Sequence, residues 1–370
     1  MTSHWGVMAF DICAFSKMKR FKPHLLMIVA QMCYTLLYFI TQASFNKGLN
    51  PHVYVTYRHV VGGLVVFPFA YFLERKVRPK LTLALFLEIF LLSLLGIGLT
   101  VNMYFASLRY TSTTFVTSMV NTISSLTFIV AVILRMEIVD VRNPRGIAKI
   151  VGTIISLAGV MIMILYKGQA MQSLKGDLIH IGNNSTHEDW IKGSILTVTS
   201  CITWSVWYIM QGFTLKKYPA QLSLTVWINC IGGAQSAVFT VLIQHQPAAW
   251  LITSAIDFWS VIYGGAVCCG LTLFLQLHCI RHKGPVFVTI FNPLSTVMVT
   301  ILAYFVVGDK LYMGRILGGA IVIAGLYALL WGKEKDQECI NTQQKSVLQG
   351  DEHKELGKQI SSSAETEEIP

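Results

Sequence analysis

The sequence predicts an all-α polytopic membrane protein, with ten transmembrane helices forming two inverted five-helix repeats. Three observations carry this. Apolar residues gather into ten windows of about 20 residues, enough to cross a hydrocarbon core roughly 30 Å thick. Of the 370 residues, 54% are hydrophobic and 13% charged, with a mean hydropathy of +0.56; soluble domains carry about 25% charged residues. The polar landmarks of the fourth and fifth windows also recur in the ninth and tenth. This composition excludes a chain disordered throughout, a collagen, a coiled coil and a disulfide mini-scaffold.

Residues 1–23 form a mixed, then basic segment (Lys17, Lys19, Arg20, Lys22), without the apolar core and cleavage site of a signal peptide. It is expected to be cytoplasmic. The first repeat, 24–166, holds windows at 24–42, 53–73, 83–105, 112–134 and 147–166. These continuous runs lack strand-like alternation, and lipid offers no partners to open backbone groups, so each reads as a helix. The loop 167–192, rich in Gly and Asn, separates the halves. The second repeat, 193–332, holds windows at 193–212, 223–243, 256–280, 285–307 and 314–332. Beyond it, 333–370 is polar, without apolar periodicity, and is expected to be a disordered cytoplasmic tail.

Lys and Arg counts set the orientation. With the N-terminus inside, the cytoplasmic side carries about 18 and the other side about seven, so both termini are expected in the cytoplasm. The 167–192 loop then lies outside, where Asn183-Asn184-Ser185-Thr186 holds two overlapping glycosylation sequons at Asn183 and Asn184.

The repeat is visible in ordered markers. Asn121, Ser124, Glu137, Gly152 and Gly159 precede Leu165-Tyr166-Lys167-Gly168; Asn292, Ser295, Asp309, Gly318 and Gly325 precede Leu330-Trp331-Gly332-Lys333. Because each unit has five spans, the second enters the membrane inverted. Inverted repeats of this kind occur in secondary transporters, with the substrate site near midplane between the halves.

Several motifs also resemble a known family: Phe45-Asn46-Lys47-Gly48, Tyr57-Arg58-His59, Phe72-Leu73-Glu74-Arg75-Lys76-Val77-Arg78-Pro79-Lys80, Leu108-Arg109-Tyr110-Thr111-Ser112, Arg135-Met136-Glu137, Lys216-Lys217-Tyr218-Pro219 and Gly308-Asp309-Lys310-Leu311-Tyr312. Over about residues 20–335 the chain is similar to the plant nodulin-21-like EamA-domain proteins (walls-are-thin-related, or UMAMIT) of the drug/metabolite transporter superfamily. The resemblance implies a ten-helix fold, a central cavity between inverted halves, and movement of organic solutes, with members associated with amino acids, auxin and other metabolites. It favours the plasma membrane, with the vacuolar membrane as the alternative. Two positions depart from the pattern: Asp309 stands where Glu is usual, and Ser124 where many relatives carry Pro.

Polar groups inside spans are costly unless paired or wetted, so each is a site candidate. At Asn292-Pro293 the proline removes an N–H and is expected to leave the Thr289 carbonyl as an unpaired mid-membrane acceptor beside the Asn292 amide. An amino acid needs both donors and acceptors for its two ends. Gln31, Asn102, Asn121 and Gln276 add neutral amides that either line a path or bond helices together, the latter worth about 0.6 kcal/mol each. Trp204, with Trp207 and Gln211 on the same window, either closes over a solute or faces lipid. Arg58 either attracts a carboxylate or snorkels and packs. His59 and His278 are either packed or proton-coupling. Glu88, Glu137 and Asp309, near span ends, read as structural, with a proton-coupling carboxylate as the alternative. Glycine pairs such as Gly62-Gly63 suit close packing within a monomer, with a weak homodimer as the alternative.

The function expected is a secondary transporter or facilitator moving small organic solutes, amino acids first, auxin or other metabolites next, across a plant membrane by alternating access. A non-transporting sensor or receptor is the alternative, and a membrane enzyme comes third. No ATP-binding loop of the G-x-x-x-x-G-K-[ST] type is present. The partners expected are a small solute and the lipid bilayer, with no nucleic acid, cofactor, metal or catalytic residue.

Overall fold

The structure, a computed structural model, describes residues 3–366 except 112, 138, 167–169, 172–186, 246, 253 and 308–310. Ten helices among them are long and apolar enough to cross a membrane: α1 (Phe21–Asn46), α2 (Pro51–Leu73), α3 (Leu83–Tyr104), α4 (Phe115–Ile133), α5 (Pro144–Leu165), α6 (Trp190–Lys217), α7 (Gln221–Ile243), α8 (Ala255–Lys283), α9 (Pro285–Phe305) and α10 (Met313–Cys339). A two-residue antiparallel bridge, Ala170 to Tyr312 and Met171 to Leu311, ties the α5–α6 connection to the start of α10.

The packing obeys a pseudo-twofold. α2 packs on α7 and α5 on α10, each helix against its own counterpart. Elsewhere α1 contacts α8 and α9 as α6 contacts α3 and α4. Glycines explain the α5–α10 seam. A Cβ on Gly152 would sit 2.5 Å from the Gly325 carbonyl, and one on Gly159 would sit 2.8 Å from that of Gly318. The seven-residue spacing on both helices places two such contacts two turns apart, so the backbones touch where any side chain would hold them apart.

Local chemistry fixes the helix starts. Gly48, at φ +100, turns the chain after α1. Asn50 then accepts from the His52 N–H at 2.9 Å ahead of Pro51, which has no N–H to leave orphaned. α7 is capped from a distance: the Glu74 carboxylate, at the end of α2, accepts from Leu222 N at 2.9 Å and Ser223 N at 2.7 Å. A carboxylate there satisfies two orphan donors and meets the positive end of the helix dipole.

Four spans depart from regular α-helix, in equivalent pairs. α3 and α8 contain π-helical stretches, Leu94–Val101 and Gly264–Thr272. α4 is broken at Asn121 and α9 at Ile290-Phe291. The α4 break forms in a span that contains no proline.

The polar tail corrects an expectation. The last helix runs unbroken from Met313 to Thr366 instead of turning irregular at 333. Lys, Gln and Glu dominate there and are strong helix formers. Its first polar turn belongs to the bundle. Lys333 bonds Glu137, Asp336 bonds Lys149, and Glu334 lies 3.2 Å from both Lys283 and His24.

Candidate functional site

A cavity of about 570 Å³ lies between the halves, lined from α1, α2, α3, α4, α6, α7, α8 and α9. It extends from Asn292 and Gln276 to Phe45 and Pro51, at the end of the bundle opposite the termini. Beyond Asn292 and Gln276, buried Ile123, Leu277 and Phe287 pack into the core. Both π-helical stretches reach the wall, through Gly96, Ile97 and Val101 on one side and Cys268 and Cys269 on the other. Insertions of this kind often mark functional positions.

The wall combines one cation, several neutral amides and many aromatic rings. Arg58 faces the cavity from α2, its guanidinium carbon 5.5 Å from the centroid of the Tyr54 ring. Among the described residues no carboxylate lies within ion-pair distance of it. Asn292 Oδ1 accepts from Gln31 Nε2 and from the Tyr208 hydroxyl, both at 3.4 Å, long contacts that a solute can compete with. Gln276 donates to Gln211 Oε1 at 2.7 Å. Trp204, Trp207, Tyr34, Tyr38, Tyr54 and Tyr104 supply ring surface. Trp207 is seated by Gly96: a Cβ there would lie 2.2 Å from the indole nitrogen.

Seven of the sequence candidates therefore meet at the cavity: Gln31, Arg58, His59, Trp204, Trp207, Gln276 and Asn292. Asn102, Asn121 and Pro293 do not line it. Asn102 bonds the His52 ring at 2.7 Å and donates to the Gly98 carbonyl at 2.6 Å, joining α3 to α2. Asn121, 1% exposed, accepts from Thr296 Oγ1 at 3.1 Å and donates to Met163 Sδ at 3.7 Å. Pro293 is buried, and the carbonyl it frees is not unpaired: Thr289 O accepts from Ser124 Oγ at 2.5 Å. The expected mid-membrane acceptor is thus taken by a hydroxyl of the opposite half. Asn183, Asn184 and Asp309 lie outside the described residues.

The histidines pair with amides. His59 Nδ1 lies 2.8 Å from Asn229 Oδ1, while Asn229 donates to the Thr225 and Cys269 carbonyls. Those donations leave Oδ1 as the acceptor, which assigns the His59 proton to Nδ1. His278 contacts Gln221 at 3.2 Å, away from the cavity. Glu88 accepts from Thr214 and Lys217, tying α3 to α6.

The chain matches the EamA-like transporter family model twice, over residues 21–165 and 191–331. It belongs to that family. Among its relatives are three Arabidopsis thaliana WAT1-related proteins, each 38% identical. The alignments cover 90%, 86% and 86% of this chain and 91%, 87% and 88% of those proteins. A solved crystal structure superposes with a TM-score of 0.59 at 15% identity, over 84% of this chain and 98% of that one, a likeness of fold alone. The protein is therefore an integral multi-pass membrane transporter of the drug/metabolite superfamily.

In this EamA-like transporter, several wall residues escaped the sequence reading: Tyr34, Tyr38, Thr41, Gln42, Tyr54 and Tyr208. A signal was present. Gln31, Tyr34, Tyr38, Thr41 and Phe45 recur at three- and four-residue steps, a polar and aromatic stripe on one face of α1. Asp257, in the first turn of α8, was also missed. It is buried and accepts from Ser44 at the end of α1.

Proposed function

We propose that this chain is a secondary transporter or facilitator that moves a small carboxylate-bearing organic solute by alternating access. Amino acids come first among candidates, then auxin or other metabolites, and the central cavity is the binding chamber. Arg58 carries the reading. A guanidinium in a low-dielectric wall is costly without a counter-charge, and an incoming carboxylate supplies one through paired N–H···O bonds. The aromatic wall offers apolar surface for the body of the solute. Asn292 Oδ1 and the tyrosine faces offer partners for an ammonium group.

The basic bias of the loops supports a topology with both termini in the cytoplasm, and the family resemblance favours the plasma membrane. The cavity as described then opens away from the cytoplasm. Its walls come from one chain, so a monomer is sufficient for binding.

The test is tracer uptake by the purified full chain in proteoliposomes without nucleotide, across radiolabelled amino acids and indole-3-acetic acid. Saturable uptake of at least one carboxylate is expected. A blank across the whole panel would contradict the reading and favour a sensor.

A further inference from the structure

A second cavity, of about 800 Å³, lies at the end of the bundle that carries both termini, and the transport reading does not use it. It is built at the ends of α4, α6, α8 and α10 and the starts of α5 and α9, so both halves contribute. Six basic side chains line it against three carboxylates.

The charges divide into a floor and a rim. On the floor, Lys149 is 2% exposed and Lys333 6%. Glu137 lies against both, and Asp336 against Lys149, so these carboxylates are consumed by the floor. Asp140 is consumed by its own turn, accepting from Arg142 N at 3.0 Å and from the Asn143 amide. On the rim, Lys216 and Arg281 keep their positive charge. Lys216 sits 5.7 Å from the centroid of the Phe213 ring, and Arg281 donates to the Pro219 carbonyl at 2.9 Å. Neither has a carboxylate within ion-pair distance among the described residues. Arg145, with Asp336 and Glu338 as charged neighbours, and Lys283, bonded to Glu334 at 3.2 Å, complete the rim.

The cavity stands where the spans end, at headgroup depth. Basic pockets between helix ends at this level suit phosphorylated headgroups, and guanidinium groups match phosphate oxygens in pairs. We propose that this cavity binds a phosphomonoester-type anion, either a phosphorylated inositol headgroup or soluble phosphate, bridging Arg145 of the first half to Lys216 and Arg281 of the second. Such a bridge holds the halves together at this end and favours the form open at the opposite one. It is independent of which solute the central cavity carries.

The experiment is thermal unfolding of the full chain in detergent with short-chain phosphatidylinositol 4-phosphate, inorganic phosphate or short-chain phosphatidylcholine. A ligand that binds only the folded form raises the midpoint, here by about 3 °C or more near saturation. A rise with the phosphoinositide alone identifies the lipid source; an equal rise with millimolar phosphate identifies a soluble one. The R145Q/K216Q/R281Q variant should lose the rise. The R75Q/K76Q variant, basic at the same end but outside the cavity, should keep it. Arg281→Gln alone should lose at least half of it, and this exposed position does not put folding at risk. No rise with either anion, a rise that survives R145Q/K216Q/R281Q, or an equal loss in R75Q/K76Q would overturn the proposal.

Discussion

α4 and α9 occupy the same place in the repeat, one broken at an asparagine and the other just before one, yet the two breaks are used differently. In α9 the amide of Asn292 lines the central cavity and, among the described residues, is held by two 3.4 Å contacts. In α4 the amide of Asn121 is sealed between α5 and α9 by Met163 and Thr296. The breaks are also coupled, since Ser124 of the first half donates to the carbonyl that Pro293 frees in the second. Duplication supplied one geometry twice; burial and neighbours then made one copy a cavity-lining polar group and the other a fastening. Sequence symmetry therefore locates candidate positions, and packing decides which copy a solute meets.

The largest effect should come where the halves have stayed alike. Gly159→Leu and Gly325→Leu each drive a side chain into the opposing backbone across the α5–α10 seam. Both should cost about 3 kcal/mol or more and abolish a monodisperse peak in fluorescence-detected size exclusion. If only one of them did, the seam would not be symmetric. Next comes Asn292→Ala, expected to weaken apparent solute affinity about tenfold with the fold intact, as for a lost hydrogen bond of about 1.4 kcal/mol. Unchanged KM and rate would remove Asn292 from the site.

Asn121→Ala should do the converse. It leaves the Thr296 hydroxyl without its acceptor, lowering stability by about 1 kcal/mol while the affinity of the remaining folded protein stays at wild type. A tenfold affinity loss here would erase the distinction between the two breaks. The smallest effect is expected for Ser124→Ala. The Thr289 carbonyl loses its donor, but relaxation or a water molecule offsets part of the penalty, so the thermal midpoint should fall by less than for Asn121→Ala. A larger fall would mean that the coupling between breaks matters more than either asparagine.

Much of the fold was legible because lipid constrains it severely. Each run of about 20 apolar residues has little choice but to be a helix, and ten windows correspond to ten spans whose ends differ by a few residues. The inverted repeat was legible because Asn, Gly and acidic markers recur in order. What stayed hidden depends on partners distant in sequence. Glu74 reads as one member of a charged motif, but its role is set by Leu222 and Ser223, 148 and 149 residues away. The Thr289 carbonyl looks orphaned until Ser124 is placed beside it. Asn102 and Asn292 are chemically the same amide; His52 makes one a fastening, and the cavity leaves the other accessible. The π-helical stretches have no sequence marker as clear as the proline in α9. The extension of the last helix was missed because the polar sequence beyond 333 was judged by apolar periodicity, while its first turn is held by ion pairs.

The central claim is that the cavity between the halves holds the solute, with Arg58 supplying its counter-charge. Equilibrium binding of a transported radiolabelled carboxylate to purified wild type, Arg58→Lys and Arg58→Gln tests it most directly. Removing a charge-assisted pair should weaken binding by about 10- to 100-fold in Arg58→Gln, with an intermediate loss in Arg58→Lys and a size-exclusion profile like wild type. Wild-type affinity in a well-folded Arg58→Gln protein would contradict the account.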